Sequence, residues 1–232
     1  MVGTLALVGS GEYLPAMLGV EAALLQGRPP RYVQLATAAG REGPTSWEHW
    51  RTLGAEQCER LGVEQVWLPV YTRTDAGDPA MAAAVEGAGL IYLSGGDPAY
   101  LAETLRGTAV WRAIAAAWES GSSLAGCSAG AMALTSWVPR LRLPGQDAVD
   151  GLGLLPGLRV IPHFDRMLGW VPDLLTRYLL HAPEGVQVLG IDEETAIVGG
   201  PGRWQVQGRQ QVWELGHGHR QGHPAGTWLD LA

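Results

Sequence analysis

The chain of 232 residues contains no lysine, no asparagine, one phenylalanine and two cysteines. Each shortage excludes something. Without lysine there is no Schiff-base chemistry, and all 16 basic side chains are arginines. Cys58 and Cys127 make no disulfide framework, and no CxxC pair is present for metal or redox work. The missing asparagine fits either a hot habitat or a biased genomic base composition. Long apolar runs are also missing. The first stretch, MVGTLALVGSGEYL, has no basic start and too short an apolar segment for a signal peptide or a membrane span. The expectation is therefore a soluble, cytoplasmic protein with no membrane partner. Basic charge is in short supply as well: the net charge of -7 argues against nucleic acid as a partner.

What is present is a globular composition, 47% apolar and 17% charged, with 33 glycines marking many turns. Thr4 to Val8 is a buried strand running into Gly9-Ser10-Gly11. Further strands read at Tyr32 to Ala36, Gln65 to Val70, Leu90 to Leu93 and Ser123 to Ala125. Helical spacing lies between them, at Ala16 to Leu25, Ser46 to Leu61, Tyr100 to Leu105 and Val110 to Trp118, with another helix starting at Asp78-Pro79. Strands alternating with helices imply βαβ units and a mostly parallel sheet covered on both faces, an α/β three-layer sandwich. Later strands read at Arg159 to Pro162, Val186 to Ile191 and Thr195 to Val198, and a helix at Asp173 to Leu180. Residues 137–156 read as a loop-rich excursion, and Trp204 to Val206 with Gln211 to Trp213 as a hairpin in a C-terminal hairpin and tail at about 200–232. No composition break marks a second domain, so 1–232 is expected to be a single domain.

One segment concentrates the chemistry. Gly126-Cys127-Ser128-Ala129-Gly130 follows a strand and opens an Ala-rich helix, the pattern of a nucleophile elbow. Small flanking residues relieve crowding at a sharp turn whose tip presents Ser128, while Cys127 should point to the other side. The Ala129 amide at the helix start can face a developing oxyanion. A second donor is expected one βα unit earlier, in Ser94-Gly95-Gly96-Asp97, where Asp97 also reads as a helix cap before Pro98. A serine needs a base, and the base needs an orienting acid. His163, at the end of a strand, would reach the carboxyl edge of a parallel sheet beside Ser128. Asp192, Glu193 and Glu194 follow another strand, and Asp147 and Asp150 in the excursion are rivals. The chain order Ser, His, acid differs from the usual α/β-hydrolase order.

The ordered blocks S-G-G-D, G-C-S-A-G-A, P-H-F and G-I-D-E-x-T-A, spread over roughly residues 4–200, resemble the serine peptidase family of cyanophycinase and alpha-aspartyl dipeptidase, peptidase family S51. The resemblance implies a fold like class I glutamine amidotransferases (flavodoxin-like), with serine at the elbow. It places the nucleophile on Ser128, the base on His163, the acid on Glu193 and the oxyanion amides on Gly96 and Ala129. It implies hydrolysis of an amide bond next to an aspartyl residue of a small peptide, alpha- or beta-linked, without metal or cofactor. The dipeptidase branch instead draws its acid from a position near Leu141, with Asp147 and Asp150 close by, whereas Pro162-His163-Phe164 is in the dipeptidase style. Asp97 and Arg166 are the candidate substrate-binding groups, although Arg166 reads more readily as a surface partner of Asp165 or Asp173. His217, His219 and His223 in the Gly-rich tail read as surface groups rather than metal ligands. A homodimer is the default for a chain of this size. The rival readings are a serine esterase or amidase of the same fold and a non-enzymatic ligand-binding member.

Overall fold

The computed structural model describes residues 1–140, 147–170, 180, 182–200, 202–216 and 219–231. Strands β1 (Leu5–Val8), β2 (Arg31–Leu35), β3 (Glu64–Trp67), β4 (Leu90–Leu93) and β5 (Ser123–Cys127) alternate with helices α1 (Leu18–Leu25), α2 (Pro44–Leu61), α3 (Arg73–Gly77), α4 (Pro79–Ala83), α5 (Pro98–Leu105) and α6 (Ala109–Glu119). Helix α7 (Ala129–Ala133) follows β5 directly. The five strands pair in parallel in the order β1-β5-β4-β2-β3.

Alternation along these strands builds the layers. Ala6, Val8, Tyr32, Leu90, Tyr92 and Cys127 face α1 and α2. Leu5, Leu7, Val33, Leu35, Ile91, Leu93 and Leu124 face the α3–α7 side. Each fully buried large aliphatic side chain contributes roughly 1.5–3 kcal/mol. Both sides are covered by helices, so the parallel strands read as near-continuous apolar runs. Helix boundaries follow local chemistry. Asp97 accepts the Tyr100 N–H at 3.1 Å and Pro98 occupies the first helical position of α5. Gly62, with φ of 68°, closes α2 in a left-handed cap.

The second half departs from the expected pattern. The excursion contains two short paired strands, β6 (Trp137–Val138) and β7 (Val149–Asp150). Strands β8 (Leu158–Pro162) and β9 (Gln187–Ile191) pair in parallel but do not join the main sheet. They form a second sheet in the order β13-β12-β9-β8 with β12 (Gln211–Gly216) and β13 (His219–Pro224). Strands β10 (Thr195–Gly200), β11 (Gly202–Gly208) and β14 (Trp228–Leu231) instead extend the main sheet antiparallel beyond β1. The hairpin expected between residues 204–206 and 211–213 is therefore not formed. β11 pairs with β10 and β14, and β12 with β9 and β13, so the chain changes sheets at Gly208 to Gln210. Leu189, Ile191 and Val212 join the core of the main sheet, while Val188, Trp213 and Leu215 pack with Phe164 on the other side. The helix expected at Asp173 to Leu180 lies almost entirely outside the described residues. Among the described residues, no helix is long and apolar enough to cross a membrane.

Candidate active site

Cys127 is the last residue of β5 and is paired in register with Val8 of β1. Its neighbour Ser128 turns with φ of 49° and ψ of -106°, a conformation that costs a non-glycine residue about 1–3 kcal/mol. Both elbow glycines are sterically required. A Cβ on Gly126 would stand 2.5 Å from the Gly130 carbonyl carbon, and one on Gly130 would stand 2.3 Å from the Leu93 oxygen of β4. The turn thus closes tightly against β4 and lifts Ser128 out, half-buried, while Cys127 points inward and is buried. The thiol donates to Glu12 Oε2 at 2.9 Å, and burial together with the nearby Glu12 pushes its pKa well above the usual thiol range. Cys127 is a protonated donor and not a nucleophile.

Ser128 Oγ lies 3.0 Å from His163 Nε2, and His163 Nδ1 lies 2.9 Å from Glu193 Oε1. A carboxylate can only accept, so Nδ1 carries the proton and donates to Glu193, leaving Nε2 bare to accept from the serine hydroxyl. Glu193 supplies this contact. Its rival Asp150 pairs at the surface with Arg106 at 2.6 Å, and Asp147 is exposed. His163 arrives from the second sheet, at the end of β8, and not from the main parallel sheet as the strand pattern suggested. The side chain after it, Phe164 at the start of α8 (Phe164–Trp170), is buried against Val188 and Trp213 and anchors the histidine's loop.

The acid is held at several points. Asp165 Oδ1 accepts the Glu193 N–H at 2.9 Å, and Gln210 and Thr195 donate to the Glu193 carbonyl at 3.0 and 3.1 Å. Arg166 reaches Glu193 Oε2 through Nε at 3.2 Å and lies only 3.9 Å from Asp165, so the residue read as a substrate group or surface partner rests on the orienting carboxylate. Asp192 turns away from the histidine, accepting from Trp213 Nε1 at 3.0 Å, and Glu194 pairs with Arg209 at 2.7 Å. Asp97 caps α5. Gly96 has φ of 137° and an amide with no hydrogen-bond acceptor among the described residues, and Ala129 is the first residue of α7, where an amide has no acceptor within the helix. Sequence reasoning missed Asp165, which holds Glu193, and Glu12, buried beneath the elbow. The available signal was an acid directly after a strand-ending motif at a carboxyl edge. Of the tail histidines, His223 is buried and faces Glu214 at 2.8 Å; His217 and the side chain of His219 lie outside the described residues. No group of three or more His, Cys, Asp or Glu among the described residues is placed to hold a metal ion.

A serine, a histidine and a glutamate in relay, on a strained turn, make the chemistry that of a serine hydrolase. The sequence model of peptidase family S51 matches residues 51–203. This chain belongs to peptidase family S51. A crystal structure of a peptidase from an acI-B1 actinobacterium is 44% identical, superposes with a TM-score of 0.93, and is matched over 100% of this chain and 98% of its own. A Listeria monocytogenes EGD-e protein carrying the provisional name peptidase E is 16% identical, with a TM-score of 0.63 over 97% of this chain and 100% of its own, a likeness of fold. No curated protein sequence matches the chain. The S51 assignment agrees with the four motif blocks, whose residues stand together in the structure.

Proposed function

We propose that this S51 hydrolase cleaves the amide bond next to an aspartyl residue in small peptides, with Ser128 as nucleophile, His163 as base and acid, and Glu193 as the orienting carboxylate. The observation that carries the reading is the unbroken relay from Ser128 Oγ through both nitrogens of His163 to Glu193, at 3.0 and 2.9 Å. His163 Nε2 takes the hydroxyl proton as Oγ bonds to the carbonyl carbon, and the carbonyl π pair moves onto oxygen. The N–H groups of Gly96 and Ala129 receive that oxyanion; losing one such donor typically costs about 3–4 kcal/mol of barrier. The intermediate collapses with cleavage of the C–N bond, and the proton passes from Nε2 to the departing amine. Water then attacks the ester, giving its proton to His163. The ester C–O bond breaks, and Oγ regains its proton. No step calls on a metal or cofactor.

The aspartyl preference is supported by an exposed cation beside Glu193, at the acid end of the relay. Arg166 is 74% exposed, holds Glu193 through Nε alone, and leaves its outer nitrogens for a substrate carboxylate. The test incubates wild type, Ser128→Ala and Arg166→Met with alpha- and beta-aspartyl dipeptides and uncharged controls, and follows release of free amino acid. Cleavage of aspartyl substrates that vanishes with Ser128→Ala, and a KM raised about tenfold in Arg166→Met, is the expected result. Turnover of the controls or of simple esters at equal efficiency would refute the aspartyl preference and leave a hydrolase of other specificity.

A further inference from the structure

The relay does not use Glu12, a buried carboxylate beneath the nucleophile. We infer that Glu12 is a positioning residue that locks the oxyanion loop to the nucleophile elbow, each of its carboxylate oxygens holding one of them. The inference rests on the reading of the Gly96 and Ala129 amides as the oxyanion hole.

Glu12 Oε1 accepts the Gly95 N–H at 2.8 Å, and Oε2 accepts the Cys127 thiol at 2.9 Å; both contacts are buried. Gly95 immediately precedes Gly96, and Cys127 immediately precedes Ser128. One rigid planar group thus fixes the peptide next to one proposed oxyanion donor and the side chain next to the nucleophile. A carboxylate suits the task because it offers two acceptor oxygens and no donor, whereas the two groups it meets are both donors. The fit is close: a Cβ on Gly95 would lie 2.7 Å from Glu12 Oε1 and 3.5 Å from the Ser128 Cβ. Glycine at 95 is what admits the acid.

The loop that carries Glu12 is itself tied to every neighbour that matters. It leaves β1, and the Ser128 N–H donates to the Val8 oxygen at 2.9 Å. Gly9 N–H donates to the Thr195 oxygen at 2.9 Å, and the Glu194 N–H to the Ser10 oxygen at 3.2 Å, tying the loop to the segment that bears Glu193. Tyr13 stands at φ of 64°, and its hydroxyl meets Ser94 Oγ at 2.6 Å, a second tie to the oxyanion loop. Donors aimed before the reaction cost no reorganisation during it. Withdrawing the carboxylate should therefore slow bond formation at Ser128 without weakening encounter with a reagent.

The experiment measures labelling of the full chain by a fluorophosphonate, which forms a bond to the nucleophilic serine whatever the natural substrate. The rate constant of bond formation, kinact, is separated from the encounter constant, KI. Glu12→Asp keeps the charge but withdraws it by one methylene. It should lower kinact about tenfold or more with KI within threefold, the direction expected when an oxyanion donor is misaimed. Glu12→Gln keeps the length and one acceptor oxygen for Gly95 but turns an NH2 donor toward the Cys127 thiol, so one of the two ties is lost and kinact should fall about threefold or more with KI within threefold. Folded Glu12→Asp with kinact within twofold of wild type, or a loss confined to KI, would overturn the inference. So would Glu12→Gln with kinact unchanged, since the second acceptor oxygen would then hold nothing that matters. Should Glu12→Asp not fold, Gly95→Ala decides the question, because its methyl displaces the carboxylate without changing it: a kinact-only loss supports the inference, and unchanged kinact overturns it. Failure of the aspartyl reading leaves all these labelling rates untouched, so the two are distinguishable.

Discussion

Glu21 offers a sharp quantitative test of the packing behind the site. It lies on α1, is 1% exposed, and accepts the Tyr32 hydroxyl at 3.0 Å through Oε2. Burial raises its pKa from 4.5 to about 7, the hydrogen bond from Tyr32 only partly opposing this. Between these values the folded protein keeps a proton that the unfolded chain releases. Stability is then highest at low pH with respect to this group and falls as pH rises through the window, by about 1.4 kcal/mol per unit. The cumulative loss above pH 7 is about 3 kcal/mol. Glu21→Gln preserves shape and an acceptor for Tyr32 while removing the charge. The variant should match wild type near pH 4.5 and exceed it by up to about 3 kcal/mol at pH 8, a Tm gain of about 6–12 °C for a domain of this size. The assay is thermal or urea unfolding of both proteins from pH 4.5 to 8, with the difference between them plotted so that other titrations cancel. A difference independent of pH, or one that shrinks as pH rises, would refute the reasoning.

Two further predictions concern the relay. Glu193→Gln removes the charge and leaves one acceptor oxygen for two donors, His163 Nδ1–H and Arg166 Nε–H, so the Nδ1 proton is no longer fixed and kcat should fall about 10³–10⁴-fold with the fold intact; a loss below tenfold in steady-state assays would show that another group orients the histidine. Asp165→Ala leaves the Glu193 N–H without its 2.9 Å acceptor, and kcat should fall while the melting temperature shifts by only a few degrees. Equal losses in kcat and in stability would make Asp165 a purely structural residue.

The first half of the fold was legible because buried parallel strands announce themselves as short apolar runs between Gly, Pro and Asp punctuation. Leu90–Leu93 appears with the expected bounds, and Asp97-Pro98 starts its helix as the cap chemistry requires. Pairing in the second half was not legible, because periodicity identifies a strand but not its partner. Arg159 to Pro162 and Val186 to Ile191 read as strands and appear as β8 and β9 within one residue at their starts, yet their apolar pattern serves a second sheet as well as it would the first. The expected hairpin failed for the same reason. Gly208, with φ of 103°, is a turn residue in either topology, but here the turn carries the chain between sheets. Ser128 and His163 were legible since they follow strand ends, and the family resemblance singled out Glu193 among the acids after β9, whereas Glu12 acts on groups 83 and 115 residues away, a relation no local pattern contains.

The placement of backbone strain explains why the chemistry sits where it does. Among the described residues, four non-glycine residues have left-handed φ: Tyr13, Ser128, His163 and Glu194. They occupy the loops after β1, β5, β8 and β9, two from each sheet. At roughly 1–3 kcal/mol each, such conformations persist only where surroundings over-determine them. Here the surroundings are each other. The Ser128 amide is held by Val8, the Glu194 amide by Ser10, and the Glu193 amide by Asp165 two residues beyond His163. Of these bonds the Glu194–Ser10 contact joins the two sheets, so a serine on the main sheet alone would keep only its bond to Val8. Meeting of the two sheets is what brings a base from β8 and an acid from β9 to a nucleophile on β5, and the same contacts keep all three strained turns in register.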